Sequence, residues 1–305
     1  MASERPRRSS PQANGANADA TRSPPLLVWQ YDNSARWEGD WIRELVAGVC
    51  ASEIHGERRY RTISPSMYVV ENELTEQFYQ YCRNAHDQGC KITLIHLGDE
   101  GFFHDLGVYS YCSSIWRNHW SASVRDLPSV SFLPLGYKSG FARETAPPPP
   151  GARAYRWGFA GDPNKSTRGD MLASMRTIVD GREHLTAGWG TPDSLPVAEY
   201  RAFMESVVFA PCPRGFLSPD CFGLYEALEA GCIPIIERGG NGLEDYFTTA
   251  FGAHPLPSID NWGEAPALVS AIVCQNKTVK LQGACLSWWN AYKQGLKLKI
   301  SIGSR

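Results

Sequence analysis

No stretch of this 305-residue sequence approaches the roughly twenty consecutive apolar residues of a membrane-spanning helix, so no such span is expected. The first 24 residues also lack the apolar core of a secretory signal and read as a disordered leader. Neither sign of charge dominates. The formal net charge is −2, which gives no electrostatic ground for a nucleic-acid or anionic-membrane partner. The nine cysteines form no Cys-x-x-Cys and no Cys/His cluster at zinc spacing. They read mainly as small buried residues, with one or two disulfides open to a lumenal chain. There is no Gly-x-Gly-x-x-Gly after the first expected strand and no Asp-x-Asp. Gly161 to Arg168 superficially suggests a P-loop, but Asn164 stands where the glycine before the lysine belongs, and Phe159 replaces the first glycine. An NTPase of that kind is therefore not expected.

What remains is an ordinary globular composition, 43% hydrophobic and 20% charged, long enough for two domains with sizeable cores. Ten Trp and thirteen Tyr are many for this length. Their faces suit stacking on sugar rings and bases, although any single Trp belongs more often to the core. Apolar β-rich runs alternate with helical patterns. Strands are expected at 26–31, 66–70, 91–97 and 130–135, with helices at 40–50 and 73–88. The stretch 108–120 carries aromatics and Arg117-Asn118-His119. Pro147 to Pro150 form a stiff run that reads as a spacer, with a surface loop as the alternative. The pattern then restarts: strand 156–161, helix 165–179, strand 183–187, helix 199–205, and a last helix near 281–298. Alternation of this kind implies parallel sheets covered on both faces. The expected division is a leader (1–24), a first Rossmann-like domain (25–146), a linker (147–152), a second (153–280), and a C-terminal helix and tail (281–305) returning to the first domain.

The run from Ser206 to Arg238 carries the most information. Val207 to Pro211 reads as a strand, and Pro211 to Pro219 cannot be helical. Asp220 stands in an N-cap position before helix formers at 221–230, Gly231 ends the helix, and Cys232 to Ile236 is a buried strand. A helix N-terminus behind a loop with Arg214 and Ser218 favours a phosphate. Glu226 and Glu229 lie where a carboxylate could hold a ribose hydroxyl.

These residues resemble the exostosin family of glycosyltransferases. The likeness lies in Pro213-Arg214-Gly215, in Leu224 to Leu228 (Leu-Tyr-Glu-Ala-Leu), and in Gly231 to Pro234, and is traceable more weakly from about Leu26 to the C-terminal helix. It implies the α/β fold called GT-B, two Rossmann-like domains facing across a cleft. It also implies inverting transfer of a sugar from a nucleotide-sugar donor, with uracil as the base, to a glycan or glycoprotein acceptor. The family usually carries Arg just before Leu-Tyr-Glu, where this chain has Gly223. If that Arg helps hold the diphosphate, either Arg214 or Arg168 does so here, or donor binding is weakened. The resemblance points to the Golgi, while the chain as written shows no signal or anchor and reads as soluble.

Ligands of open α/β sheets bind beyond the carboxyl ends of the strands. That rule points to Asp99, Glu100, 161–168 and 214–220. Departure of a diphosphate needs a metal or fixed donors. With no Asp-x-Asp, the expectation is a metal-independent site without cofactor, built from Lys165, Arg168, Arg214 and Ser218, with Glu226 on the ribose. The acceptor proton needs a base from the first domain: Asp99 or Glu100, with His96 and His119 as the other candidates. Oligomeric state is left open. The alternative is a GT-B-like shell that binds a nucleotide sugar or glycan without turnover. A different nucleotide-dependent α/β enzyme is disfavoured by the missing motifs.

Overall fold

The structure, a computed structural model, describes residues 24–30, 37–55, 60–239 and 245–303. The leader to residue 23 and the expected glycine loop at 240–242 lie outside them. The first half contains β1 (Leu26–Trp29), α1 (Gly39–Val46), β2 (Ser52–Ile54), β3 (Ser66–Glu71), α2 (Glu76–Asp87), β4 (Lys91–His96), β5 (Ser114–Arg117), α3 (Ala122–Arg125) and β6 (Val130–Phe132). All pairings are parallel, in the order β2-β1-β3-β4-β5-β6. The central strands β3 and β4 are buried on both faces, which is why they read as continuous apolar runs and not as alternations. The aromatic stretch near Arg117 supplies β5.

The second half contains β7 (Tyr155–Gly161), α4 (Arg168–Met175), β8 (Gly181–Leu185), α5 (Val197–Glu205), β9 (Val207–Cys212), α6 (Phe222–Glu229), β10 (Ile233–Glu237), α7 (Tyr246–Phe251), β11 (Ser258–Ile259), α8 (Ala265–Cys274) and α9 (Thr278–Gly303). Its sheet is again parallel, in the order β11-β10-β9-β7-β8. Two Rossmann-like α/β units therefore make up the fold. Gly158 permits the β7–β9 contact: a Cβ there would fall 2.5 Å from Val207 Cγ1.

One hydrophobic cluster runs through both units and α9, including Trp41, Tyr137, Tyr225 and Trp289. Trp289 stacks on Trp41 at 5.7 Å and packs against Tyr225 at 5.4 Å between ring centroids. Tyr68 Oη of β3 donates to the Ile300 carbonyl at 2.8 Å. Trp289 Nε1 and Lys293 Nζ both donate to Glu229 Oε1 at 2.6 Å, and Lys293 also faces Glu44 of α1 at 3.5 Å. Glu229, expected near a ribose, is instead locked into this inter-helix junction. Arg143 donates to the carbonyls of Leu228 and Glu229, satisfying the end of α6. The proline run is packed down. Pro150 is buried, and the Pro148 carbonyl accepts from Arg153 and Gln282. Gly231, at φ 68°, leaves space for Pro147, which a Cβ would approach to 2.5 Å. All nine cysteines are free thiols.

Candidate active site

The carboxyl ends of both sheets open onto one cavity of about 490 Å³. The first half contributes Trp37, Glu38, Gly98, Glu100, His119, Leu135 and Lys138. The second contributes the loops after β7, β8 and β9 and the start of α6. This is the position that the strand-end rule anticipates.

After β7, Gly161 turns the chain and Ser166 lies in the left-handed region at φ 52°. Helix α4 consequently starts at Arg168 and not at Lys165. Lys165 and Arg168 both line the cavity. Arg168 Nη1 donates to the Asp162 carbonyl at 2.9 Å, and its guanidinium lies 5.7 Å above the Phe159 ring. Its Nε is buried without a partner, a donor held in reserve.

After β9, the Pro-Arg-Gly loop is held from across the cleft. Glu100 Oε1 accepts the backbone N–H groups of Leu217 at 2.7 Å and Ser218 at 2.9 Å. Gly215 is required under this clamp, because a Cβ there would lie 2.7 Å from the same oxygen and 2.9 Å from the Asp220 carbonyl. Arg214 is half-buried and Ser218 buried, and neither is among the lining residues. Ser218 Oγ accepts from the Asp220 N–H at 3.2 Å.

Asp220 does not cap α6, which begins at Phe222 after Cys221 with no side-chain cap. Its carboxyl turns inward, where Tyr225 Oη donates to Oδ1 at 2.7 Å. Burial pushes its pKa up to about 7 against that hydrogen bond. Glu226, on the cavity side of α6, is also pushed up to about 7 by burial, opposed by hydrogen bonds from Tyr200 and the Lys138 backbone. Two buried carboxyls thus titrate near neutrality in one site. At the rim, Trp37 stacks on Trp189 at 5.0 Å, Trp189 on Phe222 at 5.5 Å, and the Lys138 ammonium lies 5.1 Å over Trp37.

The structure separates the residues expected to supply a base. Asp99 does not line the cavity: Oδ1 accepts the N–H groups of Phe103 and His104, and Oδ2 pairs with the buried Arg117 at 3.3 Å. His96 is fully buried, with Nδ1 on Tyr109 Oη at 2.7 Å and Nε2 on His104 Nδ1 at 3.0 Å. Glu100 lines the cavity but is engaged as the clamp. His119 lines it too, and its Nδ1 is buried without a partner. Among the described residues one group could approach a metal ion: His96, Asp99 and His104, with ligand atoms within 4.8 Å of one another. Arg117 already neutralises its carboxylate. Tyr200, Lys138, Trp37 and Trp189 were not singled out from sequence. Each reaches the cavity through a contact distant in sequence; the high aromatic content hinted at the three rings, and nothing local pointed to Lys138.

No protein-family model matches the chain. It is 31% identical over 104 residues to human (Homo sapiens) ribitol-5-phosphate xylosyltransferase 1, a stretch that is 30% of this chain and 23% of that protein. The chain thus spans under a quarter of the length of the curated relative it matches. Among solved structures it is similar to an α1,3-fucosyltransferase, with a TM-score of 0.52 and 10% identity, covering 89% of this chain and 91% of that one. It is likewise similar to HepE of Anabaena in complex with UDP-glucose, with a TM-score of 0.53 and 8% identity, covering 91% and 99%. These likenesses concern the fold, which is GT-B. Among the described residues no helix is long and apolar enough to cross a membrane.

Proposed function

We propose that the protein is an exostosin-like, inverting glycosyltransferase that moves a sugar from a UDP-sugar to a glycan or glycoprotein acceptor. The observation that carries this reading is the cavity itself. It joins Lys165 and Arg168, just before and at the start of α4, to the buried Glu226 of α6 and to residues of the other half. In this reading residues 153–280 hold the donor, 25–146 face the acceptor, 147–152 join them, and 281–305 tie the two together.

Lys165, Arg168 with its spare Nε, and the α4 N-terminus stabilise the departing diphosphate. Glu226 as a carboxylate accepts from a ribose hydroxyl. Arg214, whose Nε is likewise buried without a partner, and Ser218 lie in the loop after β9, beside the cavity. The proposed reaction uses no metal or other cofactor: Lys165 and Arg168 supply the positive charge that the departing diphosphate calls for. The location implied by the resemblance is the Golgi.

The test is thermal stabilisation against a panel of UDP- and GDP-sugars, with and without EDTA. Binding to the native state at a hundredfold excess over Kd adds about 2.7 kcal/mol. A shift with UDP-sugars that survives EDTA is expected. No shift with any nucleotide would overturn the reading. Gly223 favours a second reading, a shell that binds the donor without turning it over. A nucleotide shift without transfer or donor hydrolysis would select it.

A further inference from the structure

We propose that His119 is the general base that takes the acceptor proton. The inference rests on the glycosyltransferase reading and deepens it. Among the described residues lining the cavity from the first half, only Glu38, Glu100 and His119 can accept a proton. Glu38 adjoins Trp37, which stacks on Trp189 of the loop after β8, whereas the diphosphate cations follow β7. Glu100 has Oε1 committed to two backbone N–H groups of the opposite loop. Asp99 and His96, off the cavity, are held by Arg117 and by Tyr109 and His104.

His119 differs on each count. Its side chain is buried to 6% exposure yet borders the cavity, and Nδ1 has no hydrogen-bond partner. A buried, unpartnered ring nitrogen is rare in a purely structural role. The residue follows β5 with φ 56°, in the left-handed region that residues other than glycine seldom occupy. This turn presents the imidazole at the strand's carboxyl end. Burial, opposed by Glu100 and Asp99 and helped by Arg117 and Lys165, brings its pKa down to about 4. The ring is therefore neutral at physiological pH, and it borders the same cavity as Lys165 and Arg168.

In the step assigned to it, the acceptor hydroxyl oxygen forms a bond to the anomeric carbon as the bond from that carbon to the diphosphate oxygen breaks. The hydroxyl proton passes to the imidazole of His119. The diphosphate leaves with the bonding pair, facing Lys165 and Arg168. The imidazolium, stabilised by Glu100 and Asp99, then returns the proton to water.

His119→Asn is the informative variant, because Asn tolerates a positive φ and cannot serve as the base. It is expected to keep the UDP-induced thermal shift and the donor KM while kcat for transfer falls at least a hundredfold. Added imidazole should restore part of that rate. Transfer within threefold of wild type, with the shift intact, would overturn the assignment and leave the glycosyltransferase reading standing. A wild type that neither binds nucleotide nor transfers sugar would remove both. Should the variant lose its fold, single-turnover transfer from donor prebound to the wild type decides. A rate constant flat from pH 6 to 8 supports a base neutral throughout that range, and one rising across it overturns the assignment.

Discussion

Replacing Glu226 by Gln should make the protein more stable at alkaline pH and worse at holding a donor. The side chain is 5% exposed, and burial raises its pKa from the ordinary 4.5 to about 7. A folded-state pKa above the unfolded value means that the native state binds the extra proton. The group's contribution to stability is then complete below pH 4.5 and is lost as pH rises to about 7. The interval corresponds to about 3 kcal/mol. Gln mimics the protonated acid and can still accept from Tyr200, so Glu226→Gln should gain up to about 3 kcal/mol over wild type at pH 8 and almost nothing at pH 4.5. Asp220 titrates in the same range, with a pKa of about 7, but is present in both proteins and cancels from the difference. The assay is urea denaturation of both proteins at half-unit steps from pH 4.5 to 8, alongside UDP titration at pH 8. Parallel stability curves would show that Glu226 keeps an ordinary carboxyl pKa in the folded state and would refute the reasoning from burial. A variant that binds UDP as tightly as wild type at pH 8 would refute its contact with the ribose.

Gly223→Arg should lower the apparent UDP Kd about tenfold, measured by the nucleotide-induced thermal shift, since a charge-assisted contact is added. A Cβ at Gly223 meets only Cys221 Sγ at 3.9 Å, so the side chain has room. An unchanged shift would place the diphosphate elsewhere. Glu100→Ala removes two charge-assisted hydrogen bonds, but Leu217 is half exposed and water can replace part of them. The expected loss in chemical denaturation is about 1–2 kcal/mol, and no loss would mean that the clamp does not hold in solution. Trp289→Ala should cost about 3–5 kcal/mol by the same measurement, because it empties a fully buried site and leaves Glu229 short of a donor. A cost under 1 kcal/mol would contradict the shared core.

The regular part of this fold was legible because parallel strands buried on both faces write themselves as apolar runs. That signal is absent at the sheet edges: β2 and β11 have three and two residues, too short to carry a pattern. Helix α8 is hard to read because its sequence, APALVSAIVC, is apolar nearly all round. The strand-to-helix run through Val207 and Leu224 revealed the architecture of the second half at the cavity, and the Gly161–Arg168 junction revealed two cavity cations. The individual acids were harder. Glu226 and Glu229 look alike from sequence, yet Glu229 meets Lys293, 64 positions away, and Glu226 meets the cavity. Asp99 and Glu100 are adjacent, but one is neutralised by Arg117 and the other reaches Leu217, 117 positions away. Such partners are set by topology, which local spacing does not encode.

The continuous apolar cluster has a consequence for how material enters and leaves the cleft. A hinge at residues 147–152 that swung the two halves apart as rigid bodies would have to unstack Trp289 from Trp41 or Tyr225 and expose rings that are now dry. The rim is cheaper to disturb. The clamp from Glu100 involves exposed backbone, and Trp189 is already 61% exposed where it lies on Trp37. Widening the cavity by rearranging side chains at its edge therefore costs less than parting the two halves.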